Sequence, residues 1–131
     1  MSENIDRVRG LYDAFASGNI PGFLAQLDPG IRWNEAEGFP YSDGNPYVGT
    51  QAIVTGVFLR LMEDWDGFKV EVGEIVGGGD VVTMFGRYKA RSKKTGKPLD
   101  VQCAHTWWWR NGKVVRFQQM VDTAKVAKAL A

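Results

Sequence analysis

The stretch Val101 to Asp122, VQCAHTWWWRNGKVVRFQQMVD, constrains the fold of this chain more than any other. It reads as two β-strands joined by a tight turn at Arg110-Asn111-Gly112, and it holds the only histidine and the only cysteine. A two-residue Asn-Gly loop would pair Arg110 with Lys113. A three-residue loop, with Gly112 as the left-handed residue of a bulge, would pair Trp109 with Lys113. One residue of register moves every side chain of a strand to the other face, so the hydrophobic pattern discriminates. The three-residue loop gathers Val101, Cys103, His105, Trp107 and Trp109 beside Val115, Phe117, Gln119 and Val121 on one apolar face. It leaves Gln102, Ala104, Thr106 and Trp108 beside Val114, Arg116, Gln118, Met120 and Asp122 on a half-wet face. The two-residue loop would set Arg116 and Gln118 among Cys103, His105 and Trp107, a poorer segregation. The expectation is therefore the three-residue loop, with His105 and Gln119 as near neighbours on an apolar, concave wall.

The other 109 or so positions decide what that wall faces. A length of 131 residues is ordinary for one domain, and residues 1–131 are read as one. A net charge of +1 gives no steering toward nucleic acid or an anionic membrane. A single cysteine excludes an internal disulfide and fits a reducing compartment. The first residues, MSENIDRVRG, have no apolar signal core, and no window approaches the roughly 20 apolar residues of a membrane span. These features describe a cytoplasmic protein with neither a nucleic-acid nor a membrane partner.

Ile5, Val8, Leu11, Tyr12 and Phe15 recur at helical spacing, with Ser2 as the N-cap and Gly18 as the stop. Asn19 and Pro21 start a short second helix, with Phe23, Leu24 and Leu27 inward, stopped by Asp28-Pro29-Gly30. Ile31 to Glu35 is a short strand that places Ile31, Trp33 and Glu35 on one face. The irregular segment 36–49, AEGFPYSDGNPYVG, carries three aromatics and is read as a lid or pocket rim. Thr50 caps a third helix whose stripe is Ile53, Val57, Phe58 and Leu61. Strands follow at 68–76 and 81–91, joined by Gly77-Gly78-Gly79-Asp80, with a polar tip at 92–97 before the opening hairpin. Asp122 or Thr123 caps a last short helix. The expectation is an α+β fold: a curved antiparallel or mixed sheet wrapped around three N-terminal helices, leaving a cone-shaped cavity.

That order and several local segments resemble the nuclear-transport-factor-two-like superfamily, and within it the SnoaL-like, ketosteroid-isomerase-related proteins. The segments are Trp33-Asn34-Glu35-Ala36-Glu37-Gly38, Pro46-Tyr47-Val48-Gly49, Ala104-His105-Thr106-Trp107, Asn111-Gly112-Lys113-Val114-Val115 and Asp122-Thr123. The resemblance implies a cofactor-free pocket for a small apolar molecule and a homodimer through the outer sheet face, where Trp108, Met120 and Val114 would sit. The fold hosts enzymes, binding modules and transport factors alike, so function has to be argued from the site.

Glu35 falls near the position where ketosteroid isomerase carries its carboxylate base. A carboxylate walled by aromatics holds its proton more tightly and can act as general acid or base near neutral pH; it can equally be a carboxylate bonded to loop backbone or to His105. His105 is the natural proton shuttle, and SnoaL-like cyclases carry a histidine at the matching position. Where those cyclases carry an aspartate on the last strand, this chain has Gln119, which orients an oxygen but transfers no proton. Tyr12 offers the tyrosine of an isomerase oxyanion hole, with no matching aspartate on the last strands. The Asp-Arg-Asp set of the epoxide hydrolases is replaced by Cys103 and His105. Trp33, Tyr41, Tyr88, Trp107 and Phe117 complete the expected pocket lining. No ligand spacing for a metal is present. The reading is a small acid–base enzyme acting on an apolar carbonyl or hydroxyl compound, with a non-catalytic binding module and a dimeric interaction domain as alternatives.

Overall fold

A computed structural model describes residues 2–131. Helix α1 (Ser2–Ala16) presents Val8, Leu11 and Tyr12 to the core, as their spacing predicts, and ends at Gly18, whose φ of +75° suits only glycine. The expected Ser2 cap rests on a side chain outside those described. Helix α2 (Ile20–Leu24) is capped as read: the Asn19 side chain accepts from the Gly22 amide, and a proline sits in the first turn.

Leu27 does not close that helix, as the spacing had implied. It opens strand β1 (Leu27–Asn34), and Asp28-Pro29-Gly30 lies inside the strand rather than before it. The three residues loop out of the ladder between Leu27 and Arg32, where a proline without an amide hydrogen costs no pairing. The irregular segment also contains a strand that the sequence did not suggest, β2 (Tyr47–Val48), antiparallel to β1. The third helical region has Gly49 as its cap, not Thr50, which is already helical. It runs as α3 (Thr50–Ile53), a π-helical turn (Val54–Phe58) and α4 (Leu59–Asp64), and it buries the predicted stripe.

Strands β3 (Trp65–Gly78), β4 (Val81–Ser92), β5 (Pro98–Arg110) and β6 (Lys113–Val121) follow as hairpins, and α5 (Thr123–Leu130) is capped by Asp122. The sheet is curved and unclosed, in the order β2-β1-β6-β5-β4-β3, with β1 parallel to β6 and every other pair antiparallel. Close backbone approach in β3 requires glycine at position 73: a Cβ there would lie 2.6 Å from the Phe85 carbonyl oxygen, beside the bulge between Val72 and Glu74.

The opening hairpin corrects one expectation and keeps its consequence. Arg110 pairs with Lys113 across a two-residue Asn111-Gly112 loop, with φ of +51° and +75°. Two consecutive left-handed residues are what an Asn-Gly turn of this length requires. The extra residue lies further along, in a bulge between the Trp108–Arg116 and Trp109–Val114 pairs. Val115 is the unpaired residue, so the faces beyond it fall as the hydrophobic pattern demanded: His105 is directly opposite Gln119, and Trp107 opposite Phe117. Val114 consequently points inward and is fully buried, so it is not part of the outer face. That face carries Phe85 and Met120, 49% and 59% exposed, and Arg116 stacked 4.1 Å over Trp108.

Candidate functional site

The inner face of the sheet and the helices enclose a cavity lined by Tyr12, Trp33, Glu35, Tyr88, His105, Trp107, Phe117 and Gln119 among the residues predicted from sequence. Tyr41 is the exception. Its hydroxyl donates to the Asp64 carboxylate at 2.7 Å and packs under Arg60, away from the cavity wall. The sequence reading missed the second half of the lining. Phe15 and Phe23 come from α1 and α2, Val57 and Phe58 from the π-helical turn, Leu61 from α4, Phe68 and Val70 from β3, and Phe39 from segment 36–49. Helical periodicity had marked Phe23, Val57, Phe58 and Leu61 as inward; nothing in it separates a core position from a cavity wall.

The cavity leaves about 50 Å³ in which a water centre fits. Treated as a compact space and widened by the radius of a water, this is on the order of 200 Å³, room for one ring system.

Glu35 follows the end of β1 and is 3% exposed. Its backbone is held by Asn45, whose side chain accepts from the Glu35 amide at 2.9 Å and donates to its carbonyl at 2.8 Å. Trp33 Nε1 donates to the Glu35 carboxyl at 3.0 Å, and the Trp33 ring stacks on Phe117 at 3.8 Å between centroids. Burial pushes the Glu35 pKa up to about 8, against smaller lowering by the Trp33 hydrogen bond and the more distant Arg60 charge. Glu35 is therefore a mostly neutral acid at pH 7 on an apolar wall, and it makes no hydrogen bond to His105.

His105 is held at both nitrogens. Tyr12 Oη lies 2.6 Å from Nδ1, and the Tyr88 hydroxyl meets Nε2 in a short contact. Trp107 Nε1 donates to Tyr12 Oη at 3.0 Å, and Gln119 Nε2 donates to Tyr88 Oη at 2.8 Å. The other end of the Gln119 amide accepts from the Ala36 backbone N–H at 3.0 Å. Burial drives the His105 pKa down to about 3. A buried histidine with no carboxylate in contact, wedged between two hydroxyls, is favoured in its neutral form, and the expected proton-shuttle role has to meet the cost of charging it there. Burial likewise raises Tyr12 and Tyr88 well above an ordinary phenol, and it pushes the Cys103 thiol up to about 12, which leaves that thiol unreactive. No group of three or more His, Cys, Asp and Glu side chains comes together among the described residues. No helix among them is long and apolar enough to cross a membrane.

The curved, unclosed sheet and the N-terminal helices thus enclose a largely apolar cavity with one buried carboxyl and a tyrosine–histidine network in its wall. The chain belongs to the SnoaL-like domain family, whose model matches residues 8–117. It is similar to an NTF2-like protein from Burkholderia thailandensis, with 35% identity over 95% of this chain and 94% of that one and a TM-score of 0.90. An NTF2-like protein of unknown function from Burkholderia pseudomallei shares 27% identity over 100% and 99% of the two chains, with a TM-score of 0.89. TerC co-crystallized with polyporic acid has the same fold, with 24% identity, 97% coverage of each chain and a TM-score of 0.86. No curated protein sequence matches the chain.

Proposed function

We propose that this protein is a cofactor-free acid–base enzyme that enolises a small, neutral, single-ring carbonyl compound. The observation that carries this reading is Glu35: a carboxyl with a pKa near 8, facing a ring-sized apolar cavity. At pH 7 roughly one molecule in ten has Glu35 ionised, and that fraction grows as the pH approaches 8. The ionised carboxylate takes a proton from the carbon next to the carbonyl. The electron pair moves to the carbonyl oxygen, which a tyrosine hydroxyl of the wall stabilises by donating a hydrogen bond. Glu35 then returns the proton to carbon. Isomerisation, cyclisation and dehydration all begin with such a step. Relatedness to a fold that includes a putative SnoaL-like polyketide cyclase from Jannaschia and a ketosteroid-isomerase-like protein from Catenulispora acidiphila is consistent with this chemistry.

The test is proton exchange in heavy water with cyclohexanone and cyclohex-2-enone. Wild type should place deuterium beside the carbonyl faster than buffer does, and Glu35→Gln should lose at least 100-fold of that excess. Undiminished exchange by the variant removes Glu35 from the reaction. A second reading, a binding module, is favoured by the fact that both nitrogens of His105 and both ends of the Gln119 amide already have protein partners. It predicts saturable binding of the same compounds with no exchange above buffer.

A further inference from the structure

The hydrogen bonds around His105 can be counted, and the count does not close. Gln119 Oε1 faces the Ala36 N–H, which can only donate, so the amide orientation is fixed and Nε2 must donate to Tyr88. The Trp107 indole is also donor only, so Tyr12 must accept from it. Between these two fixed donors lie Tyr12, a neutral histidine with one ring hydrogen, and Tyr88. The four contacts Trp107–Tyr12, Tyr12–His105, His105–Tyr88 and Tyr88–Gln119 each consume one hydrogen. The groups supply one each from the indole, the amide and the imidazole, and one from each tyrosine. One hydroxyl hydrogen is left over.

Which tyrosine keeps it depends on the His105 tautomer. A phenolic O–H lies in the plane of its ring, and the bare imidazole nitrogen carries its lone pair in the imidazole plane. The Tyr12 and His105 planes are 13° apart, an arrangement in which the Tyr12 hydroxyl can donate to Nδ1 or accept from it. The Tyr88 and His105 planes are 45° apart. With its ring hydrogen on Nε2, His105 donates to Tyr88, which also accepts from Gln119 and keeps its own hydrogen; with it on Nδ1, Tyr12 keeps the spare hydrogen instead. Tyr88 lines the cavity, and Gln119 ties it to Ala36, the residue next to Glu35.

We infer that His105 carries its hydrogen on Nε2, that the Tyr88 hydroxyl hydrogen this frees is the donor for the oxygen of a neutral ketone, enone or phenol in the cavity in preference to the neighbouring Cys103 sulfur, and that Gln119 is a positioning residue that holds this hydroxyl in register with Glu35. The inference rests on the carbonyl-binding reading of the cavity and specifies which hydroxyl makes the contact. Among the described residues no Lys or Arg lines the cavity, which argues for a neutral ligand rather than a carboxylate or phosphate.

Because His105 is the only histidine, ring-nitrogen NMR of histidine-labelled protein reads its tautomer without ambiguity. Wild type at pH 7 should show a protonated Nε2 and a bare Nδ1. Tyr88→Phe removes the acceptor of the Nε2 hydrogen and should flip the ring to the Nδ1–H tautomer, whereas Tyr12→Phe should leave Nε2–H in place. Carbonyl-labelled cyclohex-2-enone supplies the second readout. Its carbonyl stretch should fall on binding to wild type, and the fall should vanish in Tyr88→Phe. Gln119→Ala should keep part of the fall but broaden the band, and Gln119→Asn should not sharpen it, being too short to span Ala36 and Tyr88. A wild-type Nδ1–H tautomer, an enone that does not bind, or a stretch indifferent to Tyr88→Phe overturns the inference. Binding with the shifted stretch but no deuterium exchange sinks the enzyme reading alone.

Discussion

At the scale of single residues, the site is governed by what burial does to one acid and one base. Among the described residues, Trp33 is the only hydrogen-bond donor that reaches the Glu35 carboxyl, and it favours the charged form. Trp33→Phe should move the Glu35 pKa further up from about 8, read by carbon NMR of the labelled carboxyl; a fall would show that the indole acts by shielding rather than by donation. The proximity of Glu35, His105 and Gln119 was legible because strand alternation places them on one face. The surroundings of His105 were not, because its burial and its hydrogen bonds are completed by elements outside its own hairpin. Tyr12 comes from α1, and Tyr88 sits opposite Val101 in the ladder, not opposite His105. No spacing rule links them. Tyr41 shows the converse error: an aromatic in a rim-like segment satisfied its hydroxyl on Asp64 and turned from the cavity.

Elements with strong local signals were read correctly, and those set by compromise with the fold were not. The Asp122 cap of α5 was one such signal: its side chain accepts from the Lys125 amide. Asp122→Ala should cost about 1 kcal/mol, a fall of roughly 3–5 °C in Tm by calorimetry; an unchanged Tm would show that packing of Val126 and Ala129 alone holds the helix. The hairpin is more instructive. The turn chemistry of Asn-Gly and the hydrophobic pattern demanded different registers, and the chain satisfies both by spending one residue, Val115, in a bulge. A sequence reading that allowed only one defect had to choose. The π-helical turn at 54–58 is a similar compromise. It adds a residue to the helix and brings Val57 and Phe58 to the cavity, and inserted turns of this kind recur at functional sites.

For the molecule as a whole, the two buried groups predict the shape of stability against pH. Glu35 is raised from 4.5 to about 8, so its contribution is fully present below 4.5 and is lost as pH rises through 8. His105 is lowered from 6.5 to about 3, so its contribution is present above 6.5 and is lost as pH falls through 3. Between 4.5 and 6.5 the two trends cancel. Their joint contribution should form a plateau that falls on either side by about 1.4 kcal/mol per pH unit. Urea unfolding across this range is the measurement. Glu35→Gln should remove the alkaline slope and keep the acid one; an alkaline slope that survives the substitution would assign it to another group.

The parallel pairing of β1 with β6 joins residues 27–34 to residues 114–118. Neither local propensity nor the hairpin pattern announces it, yet it closes the cavity by setting Trp33 beside Phe117. During synthesis the helices and the β3–β4–β5 meander can leave the ribosome and begin to organise, while β1, which leads into Glu35, waits for its neighbour. The chamber is therefore completed only where its two distant ends meet, and a chain that stops before residue 114 would leave Trp33 without the Phe117 ring that stacks on it.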